Sequence, residues 1–385
     1  MSAVIRYGIV GGGNGAFIGE VHRQSARLSG RFQLVCGAFS SQAEQSLQSG
    51  LALGLSSERC YPDFQSMIEA ENRLPANQRM QCVVIVTPNH LHFPVAQAAI
   101  KAGLHVISDK PATFNLQECR ELAELLSDSN SLYALTHPYT AYPMIKEARE
   151  RVARGELGEV RKVIVEYTQG WLANAIEGEG HKQAGWRTDP NRAGISCCMG
   201  DIGVHAFNIA EYVSGLETVC LSAELNRIVA GRQLDDDGTA LLKFNNGASG
   251  ILIASQICSG EENNLRLRIY GERGGLDWRQ EEPNSLWLKF NDQATQLLRT
   301  GTAWLGSNTQ RNTRLPAGHP EGYLEAFANI YRNFAEHLYD NSNGKNPDPG
   351  AFAGIHEALR GMAFIETAVV SSEQNNAWLE FPKLL

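Results

Sequence analysis

The sequence predicts an α/β chain of two domains: a doubly wound parallel sheet first, then an α+β domain built on a large, mostly antiparallel open sheet. Three observations carry this. Short β-branched runs alternate with amphipathic stretches over the first 136 residues. A cluster of glycines follows the first run directly, and beyond about Thr136 the rhythm changes to strand after strand with turn signals between. A chain of 385 residues has the length for two cores of ordinary size.

In the first domain the runs 4–10, 32–39, 82–86, 104–107 and 132–135 read as strands. Between them 17–28, 41–53, 92–102 and 116–126 repeat apolar residues at helical spacing, with Gly30 and Gly103 as stops and Ser41-x-x-Glu44 as a capping box. Such alternation makes βαβ units, hence a parallel sheet covered on both faces. Past the boundary, a helix over 142–154 stops at Gly155, and a strand over 160–168 follows. A loop rich in Gly and Trp leads to a helix over 201–213. From 217 to about 290, strands are separated by turn signals at Asp235-Asp236-Asp237-Gly238, Asn245-Asn246-Gly247 and Glu272-Arg273-Gly274-Gly275. Helices over 322–339 and 350–372 and a short strand over 378–381 close the chain. The expected domains are 1–136 and 137–385, with the C-terminal helix able to pack back toward the first and the active site in the crevice between them.

Composition excludes several classes. Lys and Arg number 34 against 42 Asp and Glu, a net charge of −8, which leaves no cationic excess to displace counterions from nucleic acid. No apolar run approaches the ~20 residues of a membrane span, and the N-terminus lacks the pattern of a signal peptide, so a cytoplasmic protein is expected. The eight cysteines, at 36, 60, 82, 119, 197, 198, 220 and 258, form no C-x-x-C, which argues for reduced thiols and against a zinc knuckle or a redox pair.

Six of the 37 glycines lie between Gly8 and Gly19, directly after the first strand and opening the first helix. Gly11-x-Gly13-x-x-Ala16 fits G-x-G-x-x-G/A, the turn that lets backbone approach a pyrophosphate lying on the N–H groups of a helix start. Gly11, Gly13, Asn14, Gly15, Ala16 and Phe17 are therefore the candidate cofactor loop. The carboxylate expected after the second strand to hold the ribose of NAD is absent. Ser40 and Ser41 stand there, able to donate to a 2′-phosphate, and no arginine follows. The cofactor is NAD or NADP, with a slight lean to NADP.

Two further loops lie at carboxyl ends of strands, where an open parallel sheet places its ligands. Thr87, Pro88, Asn89 and His92 belong to the first, Lys110 and Pro111 to the second. Lys110 is a plain surface charge or a group beside the nicotinamide. His90 and His92 make a metal site only with a third ligand, and a helix-start contact is favoured, so no metal is expected.

In the second domain Gly200-Asp201-Ile202-Gly203-Val204-His205 puts Asp201 and His205 at i and i+4 of a helix start. Three readings stand: a capping aspartate with an ordinary histidine, a two-ligand metal site, and a carboxylate-oriented histidine base. Trp171 and Trp186 offer flat faces for a sugar ring or are structural in a joining loop. His319 reaches a cleft or turns into a helix, and Tyr139 follows the last strand of the first domain as a possible substrate contact.

Taken in order, the glycine loop, Thr87-Pro-Asn-His90, Asp109-Lys-Pro111, Gly155-Glu-Leu-Gly-Glu-Val160, Trp186-Arg187-Thr-Asp-Pro, Gly200-Asp-Ile-Gly-Val-His205, Asp236-Asp-Gly-Thr-Ala and Ile269-Tyr-Gly-Glu-Arg-Gly-Gly-Leu-Asp277 resemble the glucose-fructose oxidoreductase / inositol dehydrogenase / rhizopine-catabolism (MocA) family over nearly the whole chain. The resemblance implies an N-terminal Rossmann domain and a C-terminal α/β domain whose open sheet often forms the oligomer contact; with a charged fraction of 20% and an extended antiparallel sheet, a homodimer or homotetramer is expected. It implies that Lys110, Asp201 and His205 are catalytic and that Trp186 and Arg187 lie near the cofactor. It also implies hydride transfer between the nicotinamide and a secondary alcohol or ketone of a cyclic sugar or polyol. The alternatives are reduction of another carbonyl or an imine, and a non-catalytic dinucleotide sensor. Three departures stand out: the family histidine, matched by His22, lies about three residues late, implying an insertion around 17–19. Ser196-Cys197-Cys198-Met199 replaces small residues, and Ser40 replaces the strand-two acid.

Overall fold

The computed structural model describes residues 4–342 and 350–384. The chain divides into two compact units, Met1–Pro138 with Tyr323–Leu359, and Tyr139–Gly322 with Arg360–Leu385. Among the described residues no helix is long and apolar enough to cross a membrane.

The first unit holds five parallel strands, β1 (Ile5–Gly11), β2 (Phe32–Ala38), β3 (Cys82–Val86), β4 (His105–Ser108) and β5 (Tyr133–Leu135), in the order β2-β1-β3-β4-β5. Every residue of β3 is buried, as expected of a central strand with helices on both faces. The order reverses between β1 and β3, which is where a sheet of this kind opens a crevice at its carboxyl edge. The opening helix Phe17–Ser29 stops at Gly30 in the left-handed conformation (φ 68°), its N–H on the Arg27 carbonyl. A helix absent from the sequence reading, Phe64–Asn72, is capped by Asp63 and buries Met67, Ile68 and Glu71. The Glu71 carboxylate is gripped by Arg59 at 2.8 and 2.5 Å.

The helix Tyr323–Ser342 belongs to this unit although it begins 188 residues after the end of the sheet's last strand, at Leu135. Phe327, Tyr331 and Phe334, spaced at i, i+4 and i+7, complete the core around Val21, Ala26 and Phe32. By position along the chain the segment falls in the expected domain 137–385, whereas its apolar face packs in the core of the first sheet.

The second unit is a nine-stranded sheet: β6 (Val160–Thr168), β7 (Thr218–Asn226), β8 (Asp237–Phe244), β9 (Ser249–Ser255), β10 (Asn264–Gly271), β11 (Gly274–Arg279), β12 (Ser285–Phe290), β13 (Gln296–Arg299) and β14 (Leu379–Glu380). Its order is β13-β12-β11-β10-β6-β9-β8-β7-β14, antiparallel at every step except β6 beside β9. Strict alternation of buried and exposed residues in β8 marks a sheet with two different faces. The helices Pro143–Ala153 and Val204–Ser214 pack on one of them.

Two local expectations are corrected. Asn245-Asn246-Gly247 does turn between β8 and β9, with Gly247 at φ 88°, but Asp235-Asp236-Asp237-Gly238 is no hairpin. Its first two aspartates are buried anchors: Asp235 accepts from Ser196 Oγ, Cys197 N and Met199 N, and Asp236 from Ile228 N, Val229 N and Arg232. The capping box at Ser41 and Glu44 does not form either. The helix begins at Ala43, after Gln42, and it is Ser40 Oγ that accepts from Gln42 N and donates to Gln45.

Candidate functional site

In the first unit the candidate residues gather at the carboxyl edge of β1, β3 and β4. Gly11, Gly12 and Gly15 take positive φ (83°, 68° and 77°), so the loop after β1 is open to glycine alone at three points. A Cβ on Gly11 would lie 2.7 Å from the Val86 carbonyl oxygen, and one on Gly13 would lie 2.8 Å from that of Phe39. The loop is therefore pressed onto the ends of β3 and β2, with Gly13 N donating to Phe39 O and Asn14 N to Ser49 Oγ, both at 3.2 Å. Space is clear around Gly15. Ala16 precedes the first helix with no side chain capping it, and Phe17 is exposed at its first turn. A tight glycine turn delivering an uncapped helix N-terminus fits a pyrophosphate.

Around Phe17 to Gly19, where the sequence implies an insertion, Gly19 lies directly on the Gly12 backbone. Arg23 donates to the Gly12 carbonyl oxygen at 2.5 Å and so holds the loop from behind. His22 is not at the loop. It is buried among Phe327 and Tyr331, with Nδ1 2.7 Å from the Tyr331 hydroxyl, and burial pushes its pKa down to about 4. At the end of β2, Ser40 is engaged within its own turn and Ser41 is exposed.

After β3, Thr87 places its methyl beside Gly11 while its hydroxyl oxygen is buried with no protein partner, a polar atom that a ligand at this edge would satisfy. Pro88 leads into the turn Asn89–Leu91, with Asn89 buried. His92 then opens the next helix, its two ring nitrogens on the carbonyl oxygens of Pro111 and Thr87. The ring is thus a tie between loops, and among the described residues no three His, Cys, Asp or Glu side chains converge as metal ligands do. After β4, Asp109 accepts from Lys110 N and Thr136 Oγ1, fixing the loop that carries half-buried Lys110 and buried Pro111, whose shared peptide bond is cis. Burial, with the Lys110 charge adding to it, holds His137 near 3, so it is neutral at physiological pH.

In the second unit a single π turn, Met199–Gly203, feeds the helix Val204–Ser214. Asp201 lies in the turn and His205 in the first turn of the helix. Such bulges recur at functional sites because they displace side chains out of helical register. One oxygen of Asp201, Oδ2, accepts from Arg187 Nε at 3.0 Å and Gln256 Nε2 at 2.9 Å, so the carboxylate is held from two sides. Arg187 in turn lies over the Trp186 ring, 4.3 Å from its centroid. Trp186 and Trp171 both pack on a small cluster of Leu172, Ala184, Ala193, Cys197 and Leu234, and Trp171 Nε1 donates to Gln169. Burial raises the thiols of Cys197 and Cys198, so neither is a ready nucleophile.

The His205 ring is nearly buried and meets the Tyr139 ring edge to face at 4.9 Å. The Tyr139 and Tyr167 hydroxyls are 2.5 Å apart, Tyr167 donates to Asn263 Oδ1 at 2.7 Å, and Asn263 Nδ2 donates back to Tyr139 at 3.3 Å. With Tyr139 donating to Tyr167, the three form a closed cycle. His319 is exposed in the turn before Tyr323, its backbone N–H donating to the Pro316 carbonyl oxygen. Gln256, Gln169, Tyr167 and Asn263 were absent from the sequence reading. Their only signal was position, polar side chains at the ends of apolar strands.

Two stretches of the chain match known families. Residues 5–137 match the model of the oxidoreductase family with an NAD-binding Rossmann fold, and 145–277 match the GFO/IDH/MocA C-terminal domain. The uncharacterized oxidoreductase YfiI of Bacillus subtilis is 32% identical over 99% of this chain and 98% of its own. Levoglucosan dehydrogenase of Pseudarthrobacter phenanthrenivorans is 24% identical over 99% of each. An inositol dehydrogenase homolog of Azotobacter vinelandii, solved with NAD+, superposes at a TM-score of 0.93 with 33% identity over 98% of both chains. The same protein has been solved with NADH and myo-inositol, at a TM-score of 0.91 and 32% identity over 98% of both chains.

Proposed function

Because the chain belongs to the GFO/IDH/MocA family of NAD-binding oxidoreductases, we propose that it moves a hydride between NAD and a secondary carbinol carbon of a cyclic sugar or polyol. The observation that carries this reading is the Asp201 carboxylate, held by Arg187 and Gln256 one turn before His205. His205 takes the hydroxyl proton, and Asp201 favours the imidazolium that results. Lys110 donates to the same oxygen and stabilises its developing negative charge. NAD, when bound, supplies the hydride acceptor. The glycine loop, Thr87 and Asn89 hold it, and Trp171, Trp186 and Arg187 border the substrate or the nicotinamide. The likeness to proteins named for inositol and levoglucosan supports a polyhydroxylated ring as substrate.

We take the cofactor to be NAD rather than NADP. Ser40 is tied into its own turn, no Lys or Arg occurs between Phe32 and Glu58, and Glu44 at the next helix start opposes a 2′-phosphate. The relatives solved with bound coenzyme hold NAD+ and NADH, which supports the same choice. All eight cysteines are free, in keeping with a cytoplasmic site of action.

The test is a screen of NAD+ and NADP+ reduction against cyclic polyols and sugars, with myo-inositol and levoglucosan among them, followed by His205→Ala on the best substrate. The variant is expected to lose about 10² to 10⁴ in kcat while binding NAD+ within about twofold of wild type. Undiminished turnover in His205→Ala overturns the base assignment. A wild-type protein that binds NAD+ but turns over no member of the panel favours the sensor.

A further inference from the structure

We propose that His92 is a positioning residue that ties the Thr87 loop to the Lys110 loop through two carbonyl oxygens, and that the number of protons on its ring grades affinity for the dinucleotide. The side chain is buried at the start of the helix His92–Lys101, with Nδ1 2.6 Å from Pro111 O and Nε2 2.9 Å from Thr87 O. A carbonyl oxygen has no proton to give, so each contact needs an N–H from the ring. The imidazolium has two such groups and the neutral ring one.

In the charged form both loops are held. In the neutral form one nitrogen turns a lone pair toward a carbonyl oxygen and that contact is lost. The shorter bond, to Pro111, is the one a single proton keeps, so it is the Thr87 loop that is released. Thr87 packs on Gly11 and carries the orphaned hydroxyl, so its release is felt at the pyrophosphate turn.

Two charged groups act on the ring, both from the loop after β4: Asp109 favours the proton and Lys110 opposes it. The loop after β3 presents the Thr87 carbonyl, and His90 is the other titratable group on that segment. Burial outweighs Asp109 and the two carbonyls and lowers the pKa of the ring below its usual value. The exchange between two bonds and one therefore falls on the acid side of neutrality, and at neutral pH the tie is single.

The affinity readout rests on the dinucleotide reading above, whereas the ring chemistry does not. NAD+ is titrated into the full-length wild type and His92→Asn from about pH 5 to 8 by tryptophan fluorescence. Over the same range the ring nitrogens of 15N-histidine-labelled wild type are followed by NMR without coenzyme. The wild-type Kd is expected to rise up to about tenfold as pH rises through the ring's titration, the worth of one hydrogen bond from a charged donor. His92→Asn should bind more weakly at acid pH and show no such inflection.

The spectrum should contain one ring with two slowly exchanging N–H protons at acid pH and one at neutral pH. A wild-type Kd that ignores pH, an inflection kept in the variant, or the absence of any such doubly protonated ring overturns the proposal. Failure to bind NAD+ at any pH overturns the dinucleotide reading and the grading of affinity. The ring spectrum, which needs neither variant nor coenzyme, then decides the two-carbonyl tie by itself.

Discussion

Tyr139 shows what a single residue gains from its surroundings. As a sequence position it is a tyrosine after the last strand of a Rossmann domain, and a substrate contact is the natural expectation. In the folded unit its hydroxyl both accepts from Asn263 and lies 2.5 Å from that of Tyr167, while its ring flanks His205. Burial raises its pKa, so it is a neutral donor at every working pH. Tyr139→Phe opens the cycle and removes one hydrogen bond each from buried Tyr167 and half-buried Asn263, a cost of about 1 kcal/mol in unfolding free energy. Urea unfolding checks the loss, and the substrate KM should stay within about threefold, as expected for a group acting through its neighbours. Unchanged stability with a tenfold rise in KM would instead assign Tyr139 to direct contact with substrate. Gly13, Lys110, Asp201 and His205 were legible because each sits in a local motif. Gln256 and Asn263 were not, since their partners lie 55 residues and more away in sequence.

At the scale of elements most strands and most helices were legible, because alternation and helical spacing are local patterns, while the short edge strand β13 lies beyond the region read as strands. What escaped were features set by contact between elements. Asp235 and Asp236 read as a turn in isolation and are anchors because a buried stretch of backbone N–H groups faces them. The approach of the first helix to β1 is of the same kind. A Cβ on Gly19 would lie 2.7 Å from the Gly12 carbonyl oxygen and 2.9 Å from its carbonyl carbon, both rigid backbone. Gly19→Val must therefore push the helix start off the glycine turn. The expected results are a loss of about 1 to 3 kcal/mol in stability and at least tenfold weaker NAD+ binding, measured by denaturant unfolding and fluorescence titration. A variant that binds NAD+ like wild type would mean that the close approach serves packing alone.

At the scale of the molecule, the nine-stranded sheet has a second face that its own helices do not explain. Pairing register places Ser222, Leu241, Ile251, Ile164, Arg268, Asp277, Trp287 and Leu297 in one row across eight strands. Leu241, Trp287 and Leu297 are 44%, 40% and 41% exposed. The two charges in this row are already paired within the sheet, Arg268 with Glu166, and Asp277 with Arg266 and Lys289. An apolar row with its charges internally neutralised presents little that water must be compensated for leaving, and a two-fold axis would set the row against itself. The expectation is a dimer, or a tetramer containing it, that buries roughly 1,600 Å² or more. Leu241→Asp combined with Trp287→Asp should lower the sedimenting mass to that of one chain with the far-ultraviolet circular dichroism unchanged. Trp304→Asp, a change at a residue 73% exposed outside the strands, should leave the assembly intact. If the double variant sediments like wild type, or the wild type is a monomer at micromolar concentration, the row is not an interface, and its tryptophan and leucines must be explained by a partner of another kind.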